Sequence, residues 1–301
     1  MSESEQSATQ TAPAKINLFL HVTGKGSGEY AGYHLLNTLA VFAADMGDDV
    51  TIRPACGYSL TLDGPYAQAL QQEDPDRNIV TRAARMMAGC YGKSLDMAIQ
   101  VTKNIPMQAG LGGGSADAAA TMRALAAFWG VPRLDSRILK MAPMLGADVP
   151  MCLHGPLPLY VSGIGENVRF AADIPALHMV LARPNFGLST KEVFSANRIY
   201  DSAIKAYPSK AQDFMAWLEH ETGNDLTPAS ISLNAGLDLV LQALGGQKGC
   251  LLSRMTGSGT TCFGIFEHGE SAQSSAQELA KSRPDWWVRA VHTHPSPNGV
   301  L

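Results

Sequence analysis

The most informative chemical pattern in the sequence is a glycine cluster, GLGGGS at 110–115, in which three glycines are consecutive. A strand-like segment and Pro106 precede it, and an alanine-rich helical segment follows it directly. Glycines leave backbone N–H groups unobstructed and tolerate positive φ, and the start of a helix adds a partial positive charge. A glycine cluster alone would indicate a flexible turn, but its coupling to a helix start predicts a loop that binds polyphosphate.

Two common nucleotide-binding fingerprints do not fit this loop. The pattern G-x-x-x-x-G-K-[ST] requires a lysine that the loop lacks, and G-x-G-x-x-G would require a glycine where Ser115 stands. Without a loop lysine, the phosphate charge must be balanced by the helix dipole, by a metal ion and by cations from elsewhere. Ser115 is therefore a candidate metal or phosphate ligand.

The segments on either side define the elements that must hold the loop. Strong helix formers fill 115–130, which begins with the capping-type residue Ser115. Apolar residues recur at helical spacing in 77–92, and 95–106 has the pattern of a strand that ends at Pro106. The loop is thus predicted to join a strand to a helix.

The rest of the chain alternates strand and helix signals. Further strands are predicted at 15–22, 48–54, 177–184, 262–268 and 286–294. Further helices are predicted at 135–146, 189–200, 210–221, 237–246 and 271–282. Because these elements lack a regular βαβ rhythm, they favour an α+β fold.

Composition excludes several classes of protein. Of the 301 residues, 46% are hydrophobic and 17% are charged, which is typical of a folded globular protein of roughly two domains. The net charge of −4 provides no basic field for a nucleic acid, and no apolar run is long enough for a membrane span. The five scattered cysteines and the polar, acidic start lead us to expect a cytoplasmic protein with reduced thiols.

Three segments together resemble the motifs of a kinase superfamily that contains galactokinase, homoserine kinase, mevalonate kinase and phosphomevalonate kinase. They are APAKINLFLHV at 12–22, PMQAGLGGGSADAA at 106–119 and MTGSGTTCFGIF at 255–266. Within the superfamily, AKINLFL, GYHLLNT at 32–38 and LGADVP at 145–150 resemble the family of 4-diphosphocytidyl-2-C-methyl-D-erythritol kinases. The resemblance covers most of the chain, in the expected order and spacing.

The resemblance implies two α+β domains, the first like domain 2 of ribosomal protein S5 and the second ferredoxin-like. We place them at 12–165 and 166–301, after a disordered tail at 1–11. The resemblance also implies ATP with Mg²⁺ as phosphoryl donor, and the 2-hydroxyl of the methylerythritol unit as acceptor, in the non-mevalonate isoprenoid pathway. Only small molecules are expected as partners, with no nucleic acid and no membrane, and the protein is expected to be a monomer or homodimer.

The family's catalytic pair corresponds to Lys15 and Asp148. By this resemblance Asp148 would accept the proton of the acceptor hydroxyl, while Lys15 would keep that carboxylate ionised and stabilise the attacking oxygen. Taken alone, Lys15 would be read as a solvated lysine at a strand end and Asp148 as a helix cap. With the glycine loop they supply a base, a cation and a phosphate cradle, which phosphoryl transfer requires.

The binding residues follow from the same resemblance. Asn17 corresponds to a polar substrate contact, Tyr33 and His34 to a cytidine-recognising pair, and Thr190 to a substrate-side threonine; Gly257 lies in the turn that the family places against the phosphate loop and the substrate. An aromatic face and hydrogen bonds to a ring edge suit a pyrimidine. The ATP-binding residues implied are Asn78, Lys103, Pro106, Met107, Gln108, Ala109, Gly110, Leu111, Gly112, Gly113, Gly114, Ser115 and Ala116.

Other functions would use only part of this pattern. A mevalonate or homoserine kinase would share the loop but would have no use for Tyr33 and His34. A nucleotide-binding protein without catalysis would need the loop but not both Lys15 and Asp148. A nicotinamide oxidoreductase is disfavoured because the dinucleotide fingerprint is broken at Ser115.

Overall fold

The computed structural model describes residues 7–28, 31–68, 70, 74–203 and 213–297. Contacts between residues divide the chain into two units that interleave along the sequence. The first unit comprises 1–15, 46–107 and 112–155, and the second comprises 16–45, 108–111 and 156–301. The predicted domain boundaries, which divide the chain once near residue 165, stay a prediction.

Two long strands run from one unit into the other along the chain, and two shorter strands belong to the first unit. These strands are β1 (Ala8–Lys25), β2 (His34–Pro54), β3 (Ser59–Asp63) and β4 (Met97–Thr102). In the first unit the end of β2 pairs antiparallel with β4, with Asp49 opposite Thr102. Strand β3 pairs parallel with the other edge of β4. The chain leaves this sheet at the end of β4 and continues into the glycine loop.

Four helices complete the first unit: α1 (Ile79–Tyr91), α2 (Gly113–Phe128), α3 (Ser136–Leu145) and α4 (Val149–His154). Every residue of α2 from Ala116 to Ala126 is buried. Its many alanines allow close approach of neighbouring backbone, and α2 packs against both α1 and α4. The helix that follows the glycine loop is therefore the central helix of this unit.

The second unit contains two groups of strands. The first half of β2 pairs antiparallel with β5 (Leu159–Gly163), which pairs with β6 (Asn167–Phe170). A separate four-stranded antiparallel sheet has the order β10-β7-β9-β8. Its strands are β7 (His178–Arg183), β8 (Cys250–Met255), β9 (Cys262–Phe266) and β10 (Trp287–His292).

The helices of the second unit are α5 (Thr190–Ala196), α6 (Phe214–His220), α7 (Thr227–Leu233), α8 (Gly236–Gly245) and α9 (Gly269–Ser282). Helices α8 and α9 lie against the four-stranded sheet. Side chains such as Val240 and Leu279 from these helices share one core with Val180 and Phe266 from the sheet. Among the described residues no helix combines the length and apolar character needed to cross a membrane.

The architecture confirms the predicted α+β fold with two domains, and it corrects some element boundaries. Strand β1 begins at Ala8, so residues 8–11 do not belong to a disordered tail, while residues 1–6 lie outside the described residues. The start of β1 is held because Thr9 shares a hydrogen bond with Thr51 and Thr11 donates one to Asp49. Strand β2 extends far upstream of the predicted 48–54.

A buried arginine joins several elements of the second unit. Arg254 of β8 is 8% exposed, and one guanidinium nitrogen donates to the carbonyl of Leu18 and the hydroxyl of Thr222. The other donates to the carbonyls of Leu218 and Thr222 at 2.9 and 3.0 Å. Burial lowers the pKa of Arg254 to about 10, so the guanidinium stays charged at neutral pH. It therefore supplies a charged donor to the buried carbonyls of Leu18 and Leu218, the second of which also accepts from the hydroxyl of Thr222.

We expect Arg254→Met to lower the free energy of unfolding by about 3 kcal/mol or more, because buried carbonyls lose their donors. Urea denaturation of the whole protein measures this loss. The matched control is Arg289→Met on β10, where the side chain is exposed, and its effect should stay within about 0.5 kcal/mol. Equal, small effects of the two substitutions would contradict this account of Arg254.

Candidate active site

Lys15 and Asp148 form an ion pair within the first unit. The Nζ of Lys15 lies 3.2 Å from Oδ2 of Asp148. The Lys15 side chain is only 4% exposed, whereas that of Asp148 is 40% exposed. Asp148 precedes α4 directly, yet its side chain makes no capping hydrogen bond to that helix. Asp148 therefore occupies the N-cap position of α4, but its accessible carboxylate is paired with the buried Lys15 instead of capping the helix.

The aliphatic stem of Lys15 lies against the backbone of the glycine loop. A Cβ atom at Gly112 would be 3.2 Å from Cε and 3.4 Å from Cβ of Lys15, and Gly112 has φ of +70°. Any other residue at this position would be both strained and crowded. Close approach of Lys15 to the loop thus depends on glycine at position 112.

The glycine loop leads into α2 without a capping side chain. Gly112 is the N-cap, and α2 begins at Gly113 rather than at the predicted Ser115. Ser115 instead lies in the first turn, where its Oγ faces the turn before Asp148, 3.9 Å from the position of a Cβ at Gly146. Since no side chain caps the helix, its first backbone N–H groups are suited to bind an anion.

Residues 108–111 of the loop belong to the second unit, where the turn of 255–261 supports them. The hydroxyl of Thr261 donates to the carbonyl of Ala109 at 2.5 Å. A Cβ at Gly110 would lie 2.5 Å from the carbonyl oxygen of Gly259, so only glycine fits there. The turn of 255–261 thus contacts residues 108–111 of the loop within the second unit, as the family resemblance implied. Gln108 has φ of +53°, which is rare for a residue with a side chain.

Three predicted substrate residues gather on the same turn. The backbone N–H of Asn17 donates to the hydroxyl of Thr256 at 2.8 Å, and the hydroxyls of Thr190 and Ser258 share a hydrogen bond of 2.9 Å. The carbonyl of Gly257 accepts a hydrogen bond from Asn224. Asn17 and Thr190 are therefore coupled to the turn that contains Gly257.

His34 lies in an aromatic stack within the second unit. Its ring stacks on Phe194 at 4.8 Å between centroids and on Tyr200 at 5.6 Å. Burial and the nearby ammonium of Lys25 lower the pKa of His34, which favours a neutral imidazole at pH 7. Tyr33 is 54% exposed and projects from the protein surface. Sequence reasoning missed Phe194 and Tyr200, because the helix pattern at 189–200 gives no sign of which ring lies near His34.

Lys103 and Asn78, predicted to lie near the adenine, have structural partners in the first unit. Asn78 caps α1 by accepting a hydrogen bond from Val80 N at 2.9 Å. The ammonium of Lys103 is buried and donates to the carboxylates of Asp48 and Asp117. Their contact with adenine stays a prediction. From the sequence, Asp117 was noted only as an acidic residue in the first helical turn, and Asp48 was given no role.

The side chains of the remaining predicted loop residues are mostly buried, so these residues present mainly backbone groups to a ligand. Leu111 and Ala116 are each 1% exposed, and Pro106 is also buried. Met107 is partly exposed. Cys152 lies near Gly112, but burial and Asp148 raise its pKa to about 12, so the thiol is not a nucleophile. Within the described part of the chain no group of three or more His, Cys, Asp or Glu side chains could hold a metal ion.

Comparison with known proteins identifies the family. The model "GHMP kinases N terminal domain" matches residues 78–156, and "GHMP kinases C terminal" matches 203–285. The 4-diphosphocytidyl-2-C-methyl-D-erythritol kinase of Parvibaculum lavamentivorans is 42% identical over 288 residues, covering 93% of this chain and 96% of that protein. That of Paramagnetospirillum magneticum is 40% identical over 280 residues, covering 92% and 95%.

Solved structures agree with the sequence relatives. A crystal structure of 4-(cytidine 5'-diphospho)-2C-methyl-D-erythritol kinase has a TM-score of 0.77 and 28% identity, covering 95% of this chain and 98% of that one. A homoserine kinase from Cytophaga hutchinsonii has a TM-score of 0.72 at 18% identity, covering 98% and 96%, and shows the shared fold alone. With relatives about 40% identical over more than nine tenths of its length, the chain belongs to the 4-diphosphocytidyl-2-C-methyl-D-erythritol kinase family of the GHMP kinases.

Proposed function

We propose that this protein transfers the γ-phosphoryl group of ATP to the 2-hydroxyl of 4-diphosphocytidyl-2-C-methyl-D-erythritol, in the non-mevalonate route to isoprenoid precursors. The observation that carries this proposal is the Lys15–Asp148 pair, with its buried ammonium and accessible carboxylate, next to Gly112 at the start of α2. The family to which the chain belongs supports the choice of substrate.

Asp148 acts as the general base. Its carboxylate takes the proton of the acceptor hydroxyl as the alcohol oxygen forms a bond to the γ-phosphorus. The bond from that phosphorus to the β,γ-bridging oxygen breaks at the same time, and ADP leaves with the electron pair. The ammonium of Lys15, 3.2 Å from Asp148, pairs with the carboxylate and stabilises charge on the attacking oxygen.

The glycine loop binds the phosphates of ATP. Backbone N–H groups in the uncapped first turn of α2 donate to phosphate oxygens, and the helix dipole adds favourable charge. The hydroxyl of Ser115 is the protein ligand that we assign to Mg²⁺, which would offset the charge of the ATP phosphates.

The aromatic stack around His34 recognises the cytosine ring of the acceptor. A neutral imidazole held between Phe194 and Tyr200 presents one hydrogen-bond donor and one acceptor in a fixed plane. The exposed ring of Tyr33 supplies a face on which the pyrimidine stacks. Asn17 and Thr190, which are both coupled to the 255–261 turn, orient the acceptor.

The direct experiment is an assay of the purified protein with ATP, Mg²⁺ and a panel of acceptor alcohols. We expect ADP release and a new phosphate ester with the cytidylyl acceptor, detected by phosphorus NMR. Robust phosphorylation of mevalonate or homoserine in its place would reject the proposed acceptor. We expect the enzyme to act in the cytoplasm, as a monomer or homodimer.

We expect Asp148→Asn to lower kcat by about 10²- to 10⁴-fold with modest effects on binding of either substrate, because the amide cannot take the proton. Lys15→Met should also lower kcat, and the double variant should be little worse than the worse single one, since the residues act as a unit. Steady-state kinetics measures these effects. The control is Asp135→Asn, an aspartate at the N-cap of α3, which should keep normal kcat. A near-normal kcat for Asp148→Asn would remove the base from the mechanism.

We expect Tyr33→Ala to raise the KM for the cytidylyl acceptor about tenfold, since stacking of a base on an aromatic ring contributes about 1–3 kcal/mol. The KM for ATP should be unchanged. Phe170→Ala on β6, where the ring is 48% exposed, is the matched control and should alter neither KM. Equal increases in both KM values for Tyr33→Ala would reject a role specific to the acceptor.

We expect Gly114→Val to weaken ATP binding at least tenfold in a folded protein, because the branched side chain takes space that phosphate needs at the helix start. The fold has room for the change, since a Cβ at Gly114 meets only Ile79, at 3.9 Å. Calorimetric titration with ATP measures the affinity. The control is Gly89→Val in α1, where a Cβ would have no neighbouring atom within 4 Å. Unchanged ATP affinity in Gly114→Val would make the loop purely structural.

A further inference from the structure

The ammonium of Lys103 lies at the centre of a buried ionic cluster in the first unit. Lys103, Asp48 and Asp117 are 2%, 0% and 4% exposed. The Lys103 ammonium donates to Oδ2 of each aspartate, so one cation joins two carboxylates. Burial alone would lower the pKa of Lys103, but the charges of Asp117 and Asp48 outweigh it and raise that pKa. The lysine is therefore firmly protonated in the folded protein.

The backbone of Lys103 is also engaged. Its N–H donates to the carbonyl of Asp63 at 2.7 Å, and its carbonyl accepts from the N–H of Tyr66 at 3.2 Å. The side chain is directed away from solvent to the two aspartates. The backbone groups and the ammonium of Lys103 thus all bind other residues of the protein. Such a residue can hold its neighbours in place.

Asp48 connects this cluster to the chain that enters the glycine loop. Its Oδ1 accepts hydrogen bonds from the backbone N–H groups of Asn104 and Ile105, at 2.5 and 2.8 Å. Its Oδ2 lies 3.7 Å from the position of a Cβ at Gly113, the first residue of α2. Oδ1 of Asp48 therefore fixes the backbone of residues 104–105, which precede the glycine loop. Oδ2 of Asp48 lies beside the backbone at the start of α2.

Asp117 connects the cluster to α2 itself, one turn beyond Gly113. Its Oδ1 accepts no hydrogen bond from any described residue, and the Lys103 ammonium, bound at Oδ2, offsets the charge of this carboxylate. Burial and the neighbouring Asp48 raise the pKa of Asp117 well above its ordinary range. A negative charge at the start of α2 would oppose phosphate binding, and the Lys103 ammonium offsets part of the charge that the two carboxylates carry.

We propose that Lys103 is a positioning residue for the glycine loop: by bridging Asp48 and Asp117 it fixes the start of α2 relative to residues 104–105, and so sets the backbone N–H groups that bind the nucleotide's phosphates. This inference rests on the proposed function, because it assumes that the loop binds ATP. It assigns Lys103 an indirect role, exerted through α2, and it gives Asp48 and Asp117 a part in nucleotide affinity. Displacement of a binding group by about 1 Å is enough to cost a large factor in affinity or rate.

The test compares ATP affinity with stability in four variants. Lys103→Met and Asp117→Leu each break the bridge, and both should weaken ATP binding about tenfold or more by calorimetry. Asp117→Asn keeps an acceptor oxygen for Lys103 and should retain affinity within about threefold. If the single variants fail to fold, Lys103→Met combined with Asp117→Leu removes both charges and leaves Asp48 its two backbone donors. That double variant should fold, and its affinity for ATP should be about tenfold or more below that of the wild type.

The control for a merely structural effect is Arg123→Met, also in α2. Arg123 is a buried cation, 7% exposed, that donates to the carbonyls of Cys152 and Thr11. Its loss should lower the Tm but leave ATP affinity unchanged. If the bridge variants lower the Tm with unchanged ATP affinity, the positioning role is overturned while the proposed function stands. A wild-type protein that binds no ATP would overturn both.

Discussion

The first turn of α2 has to present bare backbone N–H groups, and much of the first unit follows from this constraint. Most helices begin with a side chain that caps these groups, but Gly112 has none to offer. The absence of a Cβ also lets the stem of Lys15 lie against the loop, 3.2 Å from where that atom would be. The same glycine therefore leaves the helix start open to an anion and allows the buried ammonium-bearing side chain of Lys15 to lie next to it.

The two buried lysines of this unit, Lys15 and Lys103, differ in how exposed their carboxylate partners are. Lys15 pairs with Asp148, whose side chain is 40% exposed, so a substrate can reach the carboxylate. Lys103 pairs with two aspartates that are almost fully buried, so no substrate can reach either one. A buried charge pair is costly to form and more costly to break. Such a cluster is suited to hold α2 in place rather than to exchange protons during a reaction.

In the second unit the turn of 255–261 has a comparable organising role. Hydroxyl groups of Thr256 and Thr261 bind the backbone of Asn17 and Ala109, two segments that are far apart in sequence. Glycines allow backbones to approach where a side chain would collide, as at Gly110 beside Gly259. Short hydroxyl side chains and glycines therefore let one turn hold both Asn17 and the first half of the glycine loop.

Features that depend on interactions over a few residues could be predicted from the amino-acid sequence. Helices α1 and α2 and strand β4 were predicted because helix propensity, apolar spacing and the Pro106 stop act over a few residues. The glycine loop was predicted for the same reason. Lys15 and Asp148 were found only through resemblance to a family, since each alone has an ordinary structural interpretation; their 3.2 Å contact is a product of the fold.

Other features depend on contacts between segments that are distant in the sequence. The first half of β2 is buried on both faces, so its sequence lacks the alternation that marks a strand. Phe194 and Tyr200 meet His34 because long-range strand and helix packing brings distant segments together. Lys103 would ordinarily be expected at the surface, and nothing near it in the sequence marks Asp48 as its partner. Pairing of buried charges and rings is set by non-local contacts, which residue type and spacing do not encode.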